Sequence, residues 1–110
     1  IMATINLTWD VSNMAPTDDI DETEIWRIPG DVTSNYNPDA TTGDIDASEA
    51  AQFVADAQST LIANSAGSPL TVTSFSDTNV LNPGSGVTYG VFSKNAVGYG
   101  PGSIRHITGF

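Results

Sequence analysis

Leu81-Asn82-Pro83-Gly84-Ser85-Gly86-Val87-Thr88-Tyr89-Gly90-Val91-Phe92-Ser93 is the stretch on which the reading of this chain turns. Pro83, Gly84 and Gly86 punctuate a turn, because proline fixes φ and glycine accepts backbone angles closed to other residues. Val87, Tyr89 and Val91 then alternate with Thr88, Gly90 and Phe92, the period of a strand whose two faces differ. A turn that feeds directly into such a strand predicts an all-β chain.

Outward from that strand the pattern repeats. Val97-Gly98-Tyr99-Gly100-Pro101-Gly102 predicts a glycine-rich hairpin loop, and residues 103 to 110 a final strand. Upstream, Leu61-Ile62-Ala63 and Leu70-Thr71-Val72-Thr73-Ser74-Phe75 read as strands flanking a Ser65 to Pro69 turn. Glu22 to Ile28 places Thr23 and Ile25 on one face and Trp26 and Ile28 on the other. Ile5 to Val11 aims Ile5, Leu7, Trp9 and Val11 inward, and a turn-rich stretch follows from Ser12 to Asp19. Some six or seven short strands separated by turn residues predict a β-sandwich.

One segment departs from period two. Ala50, Phe53, Val54, Ala57 and Leu61 fall on one face of a helix. Asp46 and Glu49 stand where a capping box places its two partners. A short inserted helix is expected at about 47–58, preceded by a polar loop from 31 to 46.

At 110 residues the chain has the size of a single domain, 1–110, with one hydrophobic core. Its formal net charge is −10, and its three cations are Arg27, Lys94 and Arg105. Phosphate neutralisation needs a basic face, so neither nucleic acid nor an anionic membrane is an expected partner. No apolar run approaches the ~20 residues of a transmembrane helix. There is no cysteine, which removes disulfides, thiolate metal sites and cysteine nucleophiles. The start, Ile1 to Ile5, lacks the charged and apolar regions of a secretory signal, so with Met2 as initiator the expectation is synthesis without export.

The stretch from Phe75 to Ser103 resembles the fibronectin type III family, particularly its bacterial and phage members. The resemblance lies in the Leu81-Asn82-Pro83-Gly84 turn, the alternating strand, Ser93-Lys94-Asn95, and the glycine-containing hairpin that ends in Ser103. Leu7-Thr8-Trp9 resembles that family's strand B with its core tryptophan, and Ile20 to Arg27 resembles its strand C. The resemblance implies a fibronectin type III/immunoglobulin-like sandwich that works as a structural or binding module. Three departures stand out. Val87 occupies the position of the family's corner tyrosine, so the corner loses a hydroxyl anchor. The 31–60 segment with its helix is foreign to the fold. No room remains for the first strand, A, which leaves a neighbouring strand with unpaired backbone groups. Either a loop covers that edge or a neighbouring chain, including a second copy, completes the sheet.

No catalytic constellation stands out. His106, the one histidine, sits in the final strand, and no serine lies in a nucleophile elbow. The chain is therefore read as a non-enzyme. Cofactors are not expected, with calcium as the weaker alternative. Asn35, Asn37 and Asp39 alternate, and Asp46 falls at a twelfth position after Asp44 and before Glu49. Ala40 stands where an EF-hand loop needs glycine, and Asp46 where it needs a bidentate glutamate. The competing reading is a polar loop with Asp46 as a helix cap. Asn6-Leu7-Thr8 matches a glycosylation acceptor but lies in a strand taken as core, so it is read as accidental. Trp26 and Tyr99 are the candidate partner contacts.

The functional expectation follows from the resemblance and the chain start. It is a virion accessory protein, a capsid decoration or a tail- or fibre-associated module, acting through protein contacts or weak carbohydrate contacts. The alternative is an accessory module of a larger secreted bacterial enzyme or adhesin.

Overall fold

A computed structural model describes residues 2–11, 19–68 and 71–110. The elements are β1 (Met2–Thr8), β2 (Glu22–Pro29), β3 (Asp44–Ile45), α1 (Ala47–Ala55), β4 (Thr60–Asn64), β5 (Ser74–Leu81), β6 (Val87–Asn95) and β7 (Gly98–Ile107), with a 3-10 turn at Thr33–Asn35. All strand pairs are antiparallel. β1 and β5 form a two-stranded sheet, and a second sheet runs β3-β7-β6-β2-β4. The chain is mostly β, as expected.

β6 lies at the centre of the large sheet, and its first seven residues are all buried. Its period-two pattern therefore separates two cores, not a core from solvent. Val87 and Tyr89 join Val80, Ile5, Leu7, Ile62, Ile107 and Phe110 on the side covered by the β1–β5 sheet. Phe92 points to the opposite side, with Ile28, Tyr36, Ile45, Ala50, Phe53 and Ile104. The segment from 31 to 55 thus forms a layer of its own over the far face of the sheet.

That layer is aromatic and close-packed. The Phe53 and Phe92 rings meet edge-on with centroids 5.3 Å apart, and Tyr36 lies 5.2 Å from Phe53. Edge-to-face pairing suits the positive rim and negative face of these rings. Gly90 and Gly102 make the room. A Cβ on Gly90 would stand 2.3 Å from the Phe92 ring, and one on Gly102 would stand 2.0 Å from the Val91 carbonyl oxygen.

The helix begins as expected. Asp46 accepts from the Glu49 amide at 2.8 Å while Glu49 accepts from the Asp46 amide at 3.1 Å, the reciprocal capping box. It ends at Ala55, short of residue 58, because Asp56 turns extended and its carboxylate accepts from the Gln58 amide.

Several expected boundaries and packing roles are corrected. β5 runs from Ser74 to Leu81, eight residues that overlap the expected 70–75 strand only at Ser74 and Phe75. Thr71 and Val72 lie outside any strand, and Leu70 lies outside the described residues, as does most of the turn-rich stretch from Ser12. The 97–102 hairpin loop is instead a two-residue turn, Ala96-Val97, from which β7 starts at Gly98. β7 stops at Ile107, not Phe110. Its Pro101 is accommodated by a bulge, where one more residue than on β6 separates the paired positions. Trp9 lies past the end of β1, half-buried and in neither core cluster, so the interior is centred on Phe53, Phe92 and Tyr89. Asn6 is exposed and accepts from the Ser76 hydroxyl, so the acceptor pattern lies on the outward face of β1.

Candidate functional site

The Tyr89 hydroxyl donates to Asp77 Oδ2 at 2.7 Å, and Arg27 Nη1 donates to the same oxygen. Asp77 is 7% exposed, so a carboxylate from β5 sits between the sheets held by residues from β6 and β2. Burial, then the hydrogen bond to Asp77, hold the Tyr89 hydroxyl well above the usual tyrosine range. A buried carboxylate survives only when its charge and lone pairs are answered, and both are answered here. This triad ties the small sheet to the large one.

The candidate contacts Trp26 and Tyr99 converge on a single carboxylate. Glu24, 4% exposed, accepts at Oε1 from Trp26 Nε1 at 3.0 Å and from the Tyr99 hydroxyl at 2.6 Å. Lys94 Nζ stands 3.5 Å from Glu24 Oε2 and 3.9 Å from Glu22, and 5.0 Å from the Tyr99 ring centroid. Burial opposes the Glu24 charge, but hydrogen bonds from Glu22, Tyr99 and Trp26, with the Lys94 charge, hold its carboxyl below the usual range. The hydrogen bond shared with Glu24, then burial and the Glu24 charge, push Glu22 up. Trp26 and Tyr99 are both half-buried and pack against the helix-side core. The exposed tip of the hairpin is Val97, 96% accessible.

The acidic loop is built of turns. Asp39 accepts from the amides of Thr41 and Thr42, which lower its carboxyl, and Asp46 is committed to the helix cap. Asn35 ends the 3-10 turn and Asn37 adopts φ 48°. Among the described residues no group of three or more histidine, aspartate or glutamate side chains is placed to hold a metal. Two of the four proposed calcium ligands, Asp39 and Asp46, thus already cap backbone amides. His106 Nε2 donates to the Ser85 carbonyl at 2.6 Å, and its Nδ1 lies 3.6 Å from Asp31 Oδ2.

What remains is the sheet edge. β1 has one strand neighbour, β5, and among the described residues no strand lies on its other side. Its sequence from Met2 to Thr8 carries neither charge nor proline, the residues that usually blunt an edge. Beside it, Leu7, Trp9, Tyr89, Val91, Ser103 and Arg105 line a groove between the two sheets. At the far end of the small sheet Met2 pairs with Leu81, and both side chains are more than half exposed. Composition named Arg105 only as one of three cations and gave no sign of the groove. The signal that bore on the edge was the expectation, drawn from the resemblance, of a strand with unpaired backbone groups. Compared with family models, curated proteins and solved structures, the chain matches none, so its functional reading rests on this geometry.

Proposed function

We propose that this chain is a non-catalytic binding module that joins a larger assembly by accepting an extended segment along β1. The observation that carries this reading is a seven-residue strand with, among the described residues, a single strand neighbour and no charge or proline along it. Strand addition there would satisfy backbone groups that otherwise rely on water, while alternate side chains of the added segment enter the groove. Two antiparallel sheets, with no strand beyond β1 among the described residues, support the fibronectin type III-like reading. We assign the module to a virion surface or tail, where a neighbouring subunit stands in fixed register and can complete its sheet.

Hydrogen exchange on the isolated chain tests the open edge. Amides from Ala3 to Thr8 should alternate, those facing β5 protected and those facing outward exchanging near the rate of free peptide. Uniform protection along β1 in a chain whose mass is that of a monomer would show the edge to be covered and would end the reading.

A further inference from the structure

We infer that the groove beside β1 selects a strand from a different protein, one that carries apolar residues at alternate positions and a carboxylate opposite Arg105. The inference rests on the open-edge reading and adds what the added strand must contain. The groove's walls supply the argument. Leu7, Tyr89 and Val91 give it an apolar floor drawn from both sheets. Arg105 stands on its β7 side, exposed, directly across from Tyr89 in the β6–β7 register. Arg27 and Lys94 both have carboxylate partners, whereas Arg105 has none among the described residues. A chain of net charge −10 that leaves one guanidinium uncommitted beside an apolar groove presents a local complement to an acid.

Trp9 adds an independent observation. It lines the same groove, and its indole Nε1 is buried without an acceptor. Thr23 Oγ1, Asp44 Oδ1 and Ser59 Oγ also lack partners, but none of them lines the groove. An indole N–H normally finds an acceptor when buried, and a carbonyl of an added backbone supplies one after a small shift of the ring.

A second copy of this chain fits poorly. Of its own edge strands of five residues or more, β1 and β4 carry no acid, and the single acid of β5, Asp77, is held between Arg27 and Tyr89. None could answer Arg105. The module's remaining negative charge acts weakly at the groove because salt screens exposed charges beyond about 8 Å. Asp10 also lines the groove, on the β1 side, so the donor's acid belongs on the β7 side.

The test uses two capped eight-residue peptides of alternating valine and threonine, one with a central Asp and one with Lys in its place, each titrated calorimetrically into the intact chain. The Asp peptide should bind at least about tenfold more tightly than the Lys peptide, the step of one charge-assisted hydrogen bond. Arg105→Glu should invert that preference while leaving the far-UV spectrum unchanged, and binding should shift Trp9 emission and protect the outward β1 amides. Equal binding of both peptides, insensitive to Arg105→Glu, overturns the acid requirement and leaves strand addition intact. Self-association that protects β1 replaces the foreign strand with a second copy. Failure of both peptides on a monomer whose β1 amides alternate in protection overturns the groove as a strand seat.

Discussion

The two faces of the five-stranded sheet are closed by different means. On the helix side, Phe53, Phe92 and Tyr36 interlock over Gly90 and Gly102, and the contact is apolar and continuous. On the β1–β5 side, a smaller apolar cluster is pinned by the Asp77–Arg27–Tyr89 triad, and among the described residues neither strand of the small sheet has a second strand neighbour. The segment that carries the helix thus makes the tighter seal, and the two-stranded sheet makes the looser one. A face closed by shape tolerates little change. A face closed by a polar tether leaves the strands beside the tether free to take a partner.

The largest expected effect comes from the tight face. Phe92→Ala removes a fully buried ring whose neighbours are held by the five-stranded sheet and the helix, and should cost about 4 kcal/mol in chemical denaturation. If the loss were under about 1 kcal/mol, the interlocked aromatic layer would not be the stronger seal. Next comes the tether. Asp77→Ala leaves a buried tyrosine hydroxyl and the Arg27 guanidinium without their acceptor and should cost about 3 kcal/mol, while Tyr89→Phe, which removes one hydrogen bond and keeps the ring, should cost about 1 kcal/mol. Exchange rates in Asp77→Ala should rise along β1 and β5 and stay low along β6.

Smaller effects sharpen the contrast. Asp46→Ala should cost about 1 kcal/mol and loosen α1 alone, read from the amides of residues 47–50. Glu22→Gln should stabilise the chain by a few tenths of a kcal/mol at pH 7, the scale of exposed charge contacts. The sign follows from its carboxyl, raised in the fold above the ordinary 4.5. The folded state therefore holds that proton more tightly than the unfolded chain, and ionised Glu22 weakens the fold at neutral pH. The gain from Gln should shrink as pH falls through the raised value and vanish below about 4.5. A gain that grew with acid would contradict the hydrogen-bonded Glu22–Glu24 pair.

The sequence announced whatever is written in local periods. β2, β6 and the capped helix follow from alternation and from Asp46 and Glu49, because these signals lie within each segment whatever it pairs with. β5 escaped for a physical reason. Its inward positions are Phe75, Asp77 and Val80, so a buried acid breaks the apolar pattern, and Asn79 at φ 58° inserts an extra residue that shifts the period. The same buried acid is what ties the sheets together. Trp26 and Tyr99 were legible as aromatics in unusual positions, but their meeting at Glu24 depends on the register of β2, β6 and β7, which composition does not encode. Arg105 was one of three cations in the sequence. Only the pairing of the other two sets it apart.

The two-residue turn at Ala96-Val97 has a consequence for the order of assembly. β6 and β7 close across a few residues, so their pairing costs little loop entropy and can nucleate early. β1 must find residues some 70 positions away, as its Asn6 does at Ser76. β2 reaches a similar distance to β6 but is held on both edges, whereas β1 has one strand neighbour among the described residues, so β1 docks late and leaves first. Until it docks, its place beside β5 stands vacant, and a nascent neighbour able to offer a similar strand there would exchange with it during assembly more readily than after folding is complete.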